Sequence, residues 1–123
     1  QYVLAIDRTN NKVARSFNTF HPAVLQLMAA TIEAAAKNDI PVSLCGEFAA
    51  VPEAIPLLLG MGLRNFSINP YYLLKMKKII RSLDLDICRK LFRRVRKMHQ
   101  ADEIERTCKL KLQEYITDLE YLS

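Results

Sequence analysis

The chain lacks most of the devices that would assign a class on their own. No apolar run approaches the roughly 20 residues of a membrane span. The longest, Ala54 to Leu59, is interrupted by Pro56. Gln1 to Arg8 has neither a basic start nor a long apolar stretch, so no secretory leader is expected there. Three cysteines, odd in number and widely spaced, suit neither a disulfide framework nor a zinc site. They fit a reducing cytoplasm better. No internal repeat, low-complexity linker, helix-turn-helix signature or aromatic-rich basic strand is present.

What is present suits one domain. Of 123 residues, 50% are hydrophobic, enough for a real core. The formal charge is +5, unevenly spread. Lys75 to Lys97 holds ten of the 18 Lys and Arg against two acids, which leaves the remainder net acidic. A basic block invites a nucleic-acid reading. Its interleaving with core-type residues fits a solvated helix face instead, so neither a nucleic-acid nor a membrane partner is expected. Gln1 is not a natural initiator, and the residues after it read as the middle of an element, so a piece of something longer is expected.

The organising stretch is Pro41-Val42-Ser43-Leu44-Cys45-Gly46-Glu47. Pro41 cannot continue the helical pattern before it. Val42, Ser43 and Leu44 read as a short buried strand, and Gly46 ends the run. Cys45 and Glu47 then sit at the carboxyl end of a strand, where α/β folds place their chemistry. A thiol there can donate a proton, attack as a nucleophile or bind a metal. It can equally be a small buried hydrophobe.

Around this stretch, His21-Pro22 opens a long helix with Pro at the favoured first position, ending near Lys37-Asn38-Asp39. Its stripe is Val24, Leu25, Met28, Ile32 and Ala35. A second helix is expected from Glu53 to about Leu59, stopped by Gly60 and Gly62. Asn65 to Asn69 reads as a second strand, and strand, helix, strand with short links reads as a parallel βαβ unit. Tyr71–Arg81 is amphipathic, with Leu73, Leu74, Met76, Ile79 and Ile80 on one side. A further stripe is Leu85, Cys88, Leu91, Phe92, Val95 and Met98. The last helix is expected to start at an Asp102 N-cap with Glu105 three residues on. Its stripe is Ile104, Cys108, Leu112, Tyr115, Ile116 and Leu119. Cys88 and Cys108 lie in apolar stripes, so packing is their expected role. Near the start, Asp7-Arg8 precedes turn chemistry at Thr9-Asn10-Asn11 and puts a cation at a loop mouth. A guanidinium suits carboxylate or phosphate, although an exposed surface arginine fits the local sequence as well.

Three stretches together resemble the C-terminal end of phosphoenolpyruvate-protein phosphotransferases, Enzyme I of the bacterial sugar phosphotransferase system. They are Leu44-Cys45-Gly46-Glu47, Pro52-Glu53-Ala54-Ile55-Pro56-Leu57-Leu58-Leu59-Gly60-Met61-Gly62-Leu63, and Phe66-Ser67-Ile68-Asn69-Pro70. Gln1 to Arg8 resembles the segment that follows the family's Thr-Asn-Asp-Leu motif, and His21 to Leu25 fits the helix between. The resemblance covers Gln1 to about Arg81. Ala50-Val51 stands where the family usually has Gly-Asp.

The resemblance implies an α/β fold: the helix-rich C-terminal slice of a (β/α)8 barrel, with two short parallel strands and about five helices. Residues 1–82 would be the last βα units of a phosphoenolpyruvate-binding domain, and residues 83–123 its C-terminal helical extension. It implies Cys45 as the proton donor to pyruvate enolate and Arg8 as a contact to the substrate phosphate. Glu47 matches the motif without an assigned step. Mg2+ is the implied cofactor, with ligands upstream of Gln1. The implied partners are phosphoenolpyruvate and pyruvate, an HPr-type carrier reached through N-terminal domains, and a second copy in a homodimer. The chain alone is expected to be inactive. Alternatives are a relative of pyruvate phosphate dikinase, which has a similar Cys-Gly-Glu, or a non-catalytic basic helical module.

Overall fold

The computed structural model describes residues 1–116. Five α-helices and two strands are formed among them. They are α1 (Pro22–Lys37), β1 (Ser43–Cys45), α2 (Ile55–Met61), β2 (Asn65–Ser67), α3 (Leu73–Ser82), α4 (Leu85–Val95) and α5 (Ala101–Gln113). The strands pair in parallel, with Ser43 beside Asn65, Leu44 beside Phe66 and Cys45 beside Ser67. The expected βαβ unit is therefore present, as a helix-rich α/β arrangement.

Proline and polar caps start several of the helices. His21 caps α1: its Nδ1 accepts from the Ala23 amide at 3.1 Å, with Pro22 at the first helical position. Asp84 caps α4, its Oδ1 accepting from the amides of Asp86 and Ile87. A carboxylate there also meets the positive end of the helix dipole. Asn69 accepts from the Tyr71 amide and opens a 3-10 turn, Pro70–Tyr72, that leads into α3.

The core is organised around α2. Ile55, Pro56, Leu57, Leu58, Leu59 and Met61 are all buried, so this short helix needs cover on every side. On one flank Leu57, Leu58 and Met61 meet Leu25 and Ile32 of α1, Leu91 and Val95 of α4, and Ile104 and Cys108 of α5. On the other, Ile55 and Leu59 meet Met76, Ile79, Cys88 and Leu112. The C-terminal helices thus pack on α2 rather than over the two-stranded sheet.

Several sequence expectations are corrected. Gly60 does not stop α2; it lies within it. A Cβ there would collide with the Cys88 carbonyl oxygen and stand 2.7 Å from the carbonyl carbon and 3.0 Å from Phe92 Cβ. Gly60 is needed because the α4 backbone passes where its side chain would be. Gly62 alone ends the helix, at φ 104° in the left-handed region. Asp102 is not the N-cap of α5. The helix begins one residue earlier, at Ala101, so Asp102 and Glu103 lie in the first turn facing the dipole.

The apolar seam of Tyr71–Arg81 is narrower than its periodicity predicts: Met76 and Ile79 are buried, while Leu74 is 81% exposed. Ten residues of helix present one narrow seam, and Leu74 falls outside it. Residues 2–6 form hydrogen-bonded turns rather than the middle of an element, with Ala5 at φ 51°. A strand needs a partner for its backbone groups, and none pairs with this segment among the described residues. Leu119 lies outside the described residues.

The Gly60 contact makes a sharp prediction. Gly60→Ala gains helix propensity, which alone would stabilise by about 1 kcal/mol, but it drives a methyl group into the α4 backbone. Overpacking of this kind costs about 3 kcal/mol, so urea unfolding should show a net loss near 2 kcal/mol. An unchanged or raised midpoint would contradict the close approach.

Candidate active site

The two strands have the same pattern, exposed–half-buried–exposed. Leu44 and Phe66 turn toward the helices and join the core. Ser43, Cys45, Asn65 and Ser67 therefore share the other face, which is open. Parallel sheets are usually covered on both faces. Here one face carries small polar side chains and a thiol. Cys45 is exposed, which removes the buried-hydrophobe reading.

Gly46 follows at φ 90° and ψ −173°, a conformation that side chains rarely adopt. A Cβ there would meet nothing within 4 Å, so the constraint is the backbone angle and not space. The chain then turns into a 3-10 segment, Glu47–Ala50. Phe48 and Ala49 are buried, and the Phe48 ring meets Phe20 edge-on at 5.2 Å. This contact pins the loop from behind while Cys45 and Glu47 stay in front, exposed.

Arg8 is exposed in a turn built by its neighbours. Asp7 Oδ1 accepts from both the amide and the hydroxyl of Thr9, at 2.9 and 2.7 Å. Those two bonds hold the Asp7 carboxyl below its ordinary pKa. The Arg8 amide donates to Gln1 Oε1 at 3.1 Å. No hydrogen bond or ion pair joins Arg8 to Cys45 or Glu47 among the described residues, so the fold does not by itself assemble the two sequence candidates. His21 is occupied as a helix cap, as expected.

Ser67 was not singled out from sequence. The signal was available: Ser43-Leu44-Cys45 and Asn65-Phe66-Ser67 share one polar–apolar–polar pattern, and in parallel register the last residues pair.

The three thiols are in different situations. Cys88 and Cys108 are fully buried. Burial raises the Cys88 pKa, helped by the Asp84 carboxylate. Burial pushes Cys108 up to about 12, with Glu105 and Glu53 adding to it. Neither is poised to react, in agreement with a packing role. A cavity of about 690 Å3 lies between α1 and α4, at the opposite ends of the strands. Its cations are otherwise engaged: Arg64 Nη1 donates to the Leu59 and Leu63 carbonyls, and Arg96 rests over the Phe92 ring. The strand carboxyl ends, not this cavity, carry the exposed thiol.

Among the described residues no three His, Cys, Asp or Glu side chains converge to hold a metal ion. No described helix is long and apolar enough to cross a membrane.

Residues 1–85 match the family described as PEP-utilising enzyme, PEP-binding domain. A phosphoenolpyruvate-protein phosphotransferase of Cupriavidus necator is 55% identical over 80 residues, covering 65% of this chain and 14% of that protein. One from Mycoplasma pneumoniae is 40% identical over 106 residues, covering 86% and 18%. A protein of Escherichia coli named phosphoenolpyruvate-dependent phosphotransferase system is 34% identical over 104 residues, covering 85% and 14%. The chain thus spans between 14% and 18% of the length of these relatives.

Cys108 gives a pH prediction. Its folded pKa lies above the ordinary 9.0, so the unfolded chain loses the proton first as pH rises. The stability tied to the protonated thiol is fully present below pH 9 and is lost as pH climbs toward 12. The slope should approach about 1.4 kcal/mol per pH unit over that window. Cys108→Ala should lower stability at neutral pH and flatten this slope. An equally steep alkaline slope in the variant would show that other groups cause it.

Proposed function

The chain belongs to the PEP-utilising enzyme family, PEP-binding domain, and from that premise we propose that it is the C-terminal part of a phosphoenolpyruvate-protein phosphotransferase. In this reading residues 1–82 are the last βα units of a (β/α)8 barrel and residues 83–123 are a helical extension of the same domain. The open polar face of β1 and β2 supports this, because it is the face that would line a barrel interior. The parent is proposed to be cytoplasmic and to act as a homodimer.

The observation that carries the reading is the exposed Cys45 at the carboxyl end of β1, the end at which barrel enzymes place their catalytic groups. In the parent, the phosphoryl group of phosphoenolpyruvate passes to a histidine outside this chain and on to an HPr-type carrier. Its loss leaves pyruvate enolate. The methylene carbon of the enolate must gain a proton to become the methyl group of pyruvate. Cys45 supplies it: the S–H bond breaks, a C–H bond forms, and a thiolate remains to be reprotonated from solvent.

Arg8 is assigned to the phosphate of the substrate. A guanidinium offers paired donors to phosphoryl oxygens and stabilises charge as the group transfers. Magnesium in the parent would offset phosphate charge, but the residues described here do not form a site for it.

Kinetics of the full-length parent test the assignment. Cys45→Ala should lower pyruvate formation by about 100-fold or more, the usual scale for loss of a general acid. Cys88→Ala and Cys108→Ala should leave the rate per folded molecule unchanged. Equal losses in all three would refute the role of Cys45. Arg8→Lys keeps the charge but loses the fork, and should cost at least about tenfold in kcat/KM, or roughly 1.4 kcal/mol. Unchanged kinetics would remove Arg8 from the site.

The open strand edges and polar sheet face also predict behaviour for the isolated chain. It should lack phosphotransferase activity and associate through unpaired edges. Light scattering coupled to size exclusion should give a mass above 14.1 kDa. A single monomer peak with a cooperative thermal transition would contradict this.

A further inference from the structure

We infer that Ser67 is a positioning residue for Cys45, its hydroxyl orienting the thiol and donating a hydrogen bond to the thiolate that proton transfer leaves behind. This rests on the reading of Cys45 as proton donor. The geometry points to it in three ways. Cys45 and Ser67 are register partners in a parallel pair, so their side chains leave the sheet side by side on one face. Both are exposed on that face, at the carboxyl ends of their strands. The residues between are fixed from below, since Leu44 and Phe66 are packed into the core.

The chemistry requires such a partner. A thiol that donates its proton to carbon becomes an anion, and a neighbouring donor stabilises that anion without adding charge beside an anionic substrate. A serine hydroxyl is a donor of this kind and can rotate to accept from the S–H beforehand. It stays neutral across the working pH range. The elements packed against β1 add little competing charge. β2 carries no titratable side chain, and in the 3-10 turn after Gly46 only Glu47 is ionisable. Ser67 is thus the hydroxyl that the register assigns to the thiol. Because it is exposed and its position tolerates a polar atom, it serves no evident packing role.

The test is the pH profile of Cys45 alkylation by iodoacetamide in the full-length parent, read by mass spectrometry of the Cys45 peptide. Cys88 and Cys108 are buried and report separately in the same digest. Ser67→Ala should move the midpoint of the Cys45 profile upward and slow alkylation at pH 7.5 by about three- to tenfold, as thiolate population falls. Ser67→Thr should restore the wild-type profile, whereas Ser67→Val, the same shape without the hydroxyl, should behave like Ser67→Ala. The Thr and Val pair decides the matter should the alanine variant fold poorly. Identical profiles for Thr and Val would overturn the proposal. This readout uses no phosphoenolpyruvate, so its failure is distinct from failure of the proton-donor role, which pyruvate formation by Cys45→Ala tests.

Discussion

Everything in this fold depends on the burial of α2. Its sequence, Ile55-Pro56-Leu57-Leu58-Leu59-Gly60-Met61, has no polar side. A helix of seven residues has little stability of its own, so it persists because neighbours enclose it. Leu57 and Leu58 are fully buried, at roughly 1.5–3 kcal/mol each for removal from water. That enclosure needs α4 to come within backbone distance, and Gly60 is the residue that lets it. The basic character of α4 follows from the same geometry. Cys88, Leu91 and Val95 face α2, and the arginines and lysines between them are left in solvent. The α4 part of the positive block, Arg89, Lys90, Arg93 and Arg94, is the outer face of a helix recruited for packing.

The enclosure of α2 also sets the stage for chemistry. β1 and β2 are held side by side because the segment between them is locked into the core. The face they turn to the helices is apolar and the open face is small and polar. Phe48 and Phe20 anchor the loop behind Cys45, and Gly46 supplies the one backbone angle that turns it. A thiol on such a mount is held by rigid elements yet open to a reactant. This is what a proton donor to carbon needs: a fixed position relative to a planar enolate. The proposed pairing of Ser67 with Cys45 uses the same mount and no additional element.

The strands and helices were largely legible because their signals are local. Pro22, Pro41, Pro52 and Pro70 punctuate the chain, and the buried residues of α1, α4 and α5 all fall within their apolar stripes, although Leu85 at the start of the α4 stripe is exposed. Gly60 was misread because a glycine inside a helix and one ending it look alike in sequence. The difference is the α4 carbonyl lying against it, which comes from 28 residues away. Asp102 was misplaced because a capping carboxylate and a first-turn carboxylate both favour the same helix end. The exposure of Leu74 likewise depends on which neighbours α3 finds, not on its periodicity. Of the site, Cys45 was visible through its place after a short strand and before a glycine. Ser67 was not, because its relevance comes from register, a relation between two strands. Arg8 stands out locally only as a cation beside a turn, its phosphate role comes from the resemblance, and the fold leaves it on an exposed turn.

The central claim is that the Cys45 thiol exchanges a proton with the methyl carbon of pyruvate. Run in reverse, the same step removes a proton from pyruvate and returns one from solvent. The direct measurement is therefore proton NMR of pyruvate in heavy water with the full-length parent and no phosphoryl donor present. The account predicts that the wild-type protein washes the methyl protons out well above the uncatalysed rate, and that Cys45→Ala does not. Washout that persists undiminished in Cys45→Ala would place the proton transfer on another group and contradict the account.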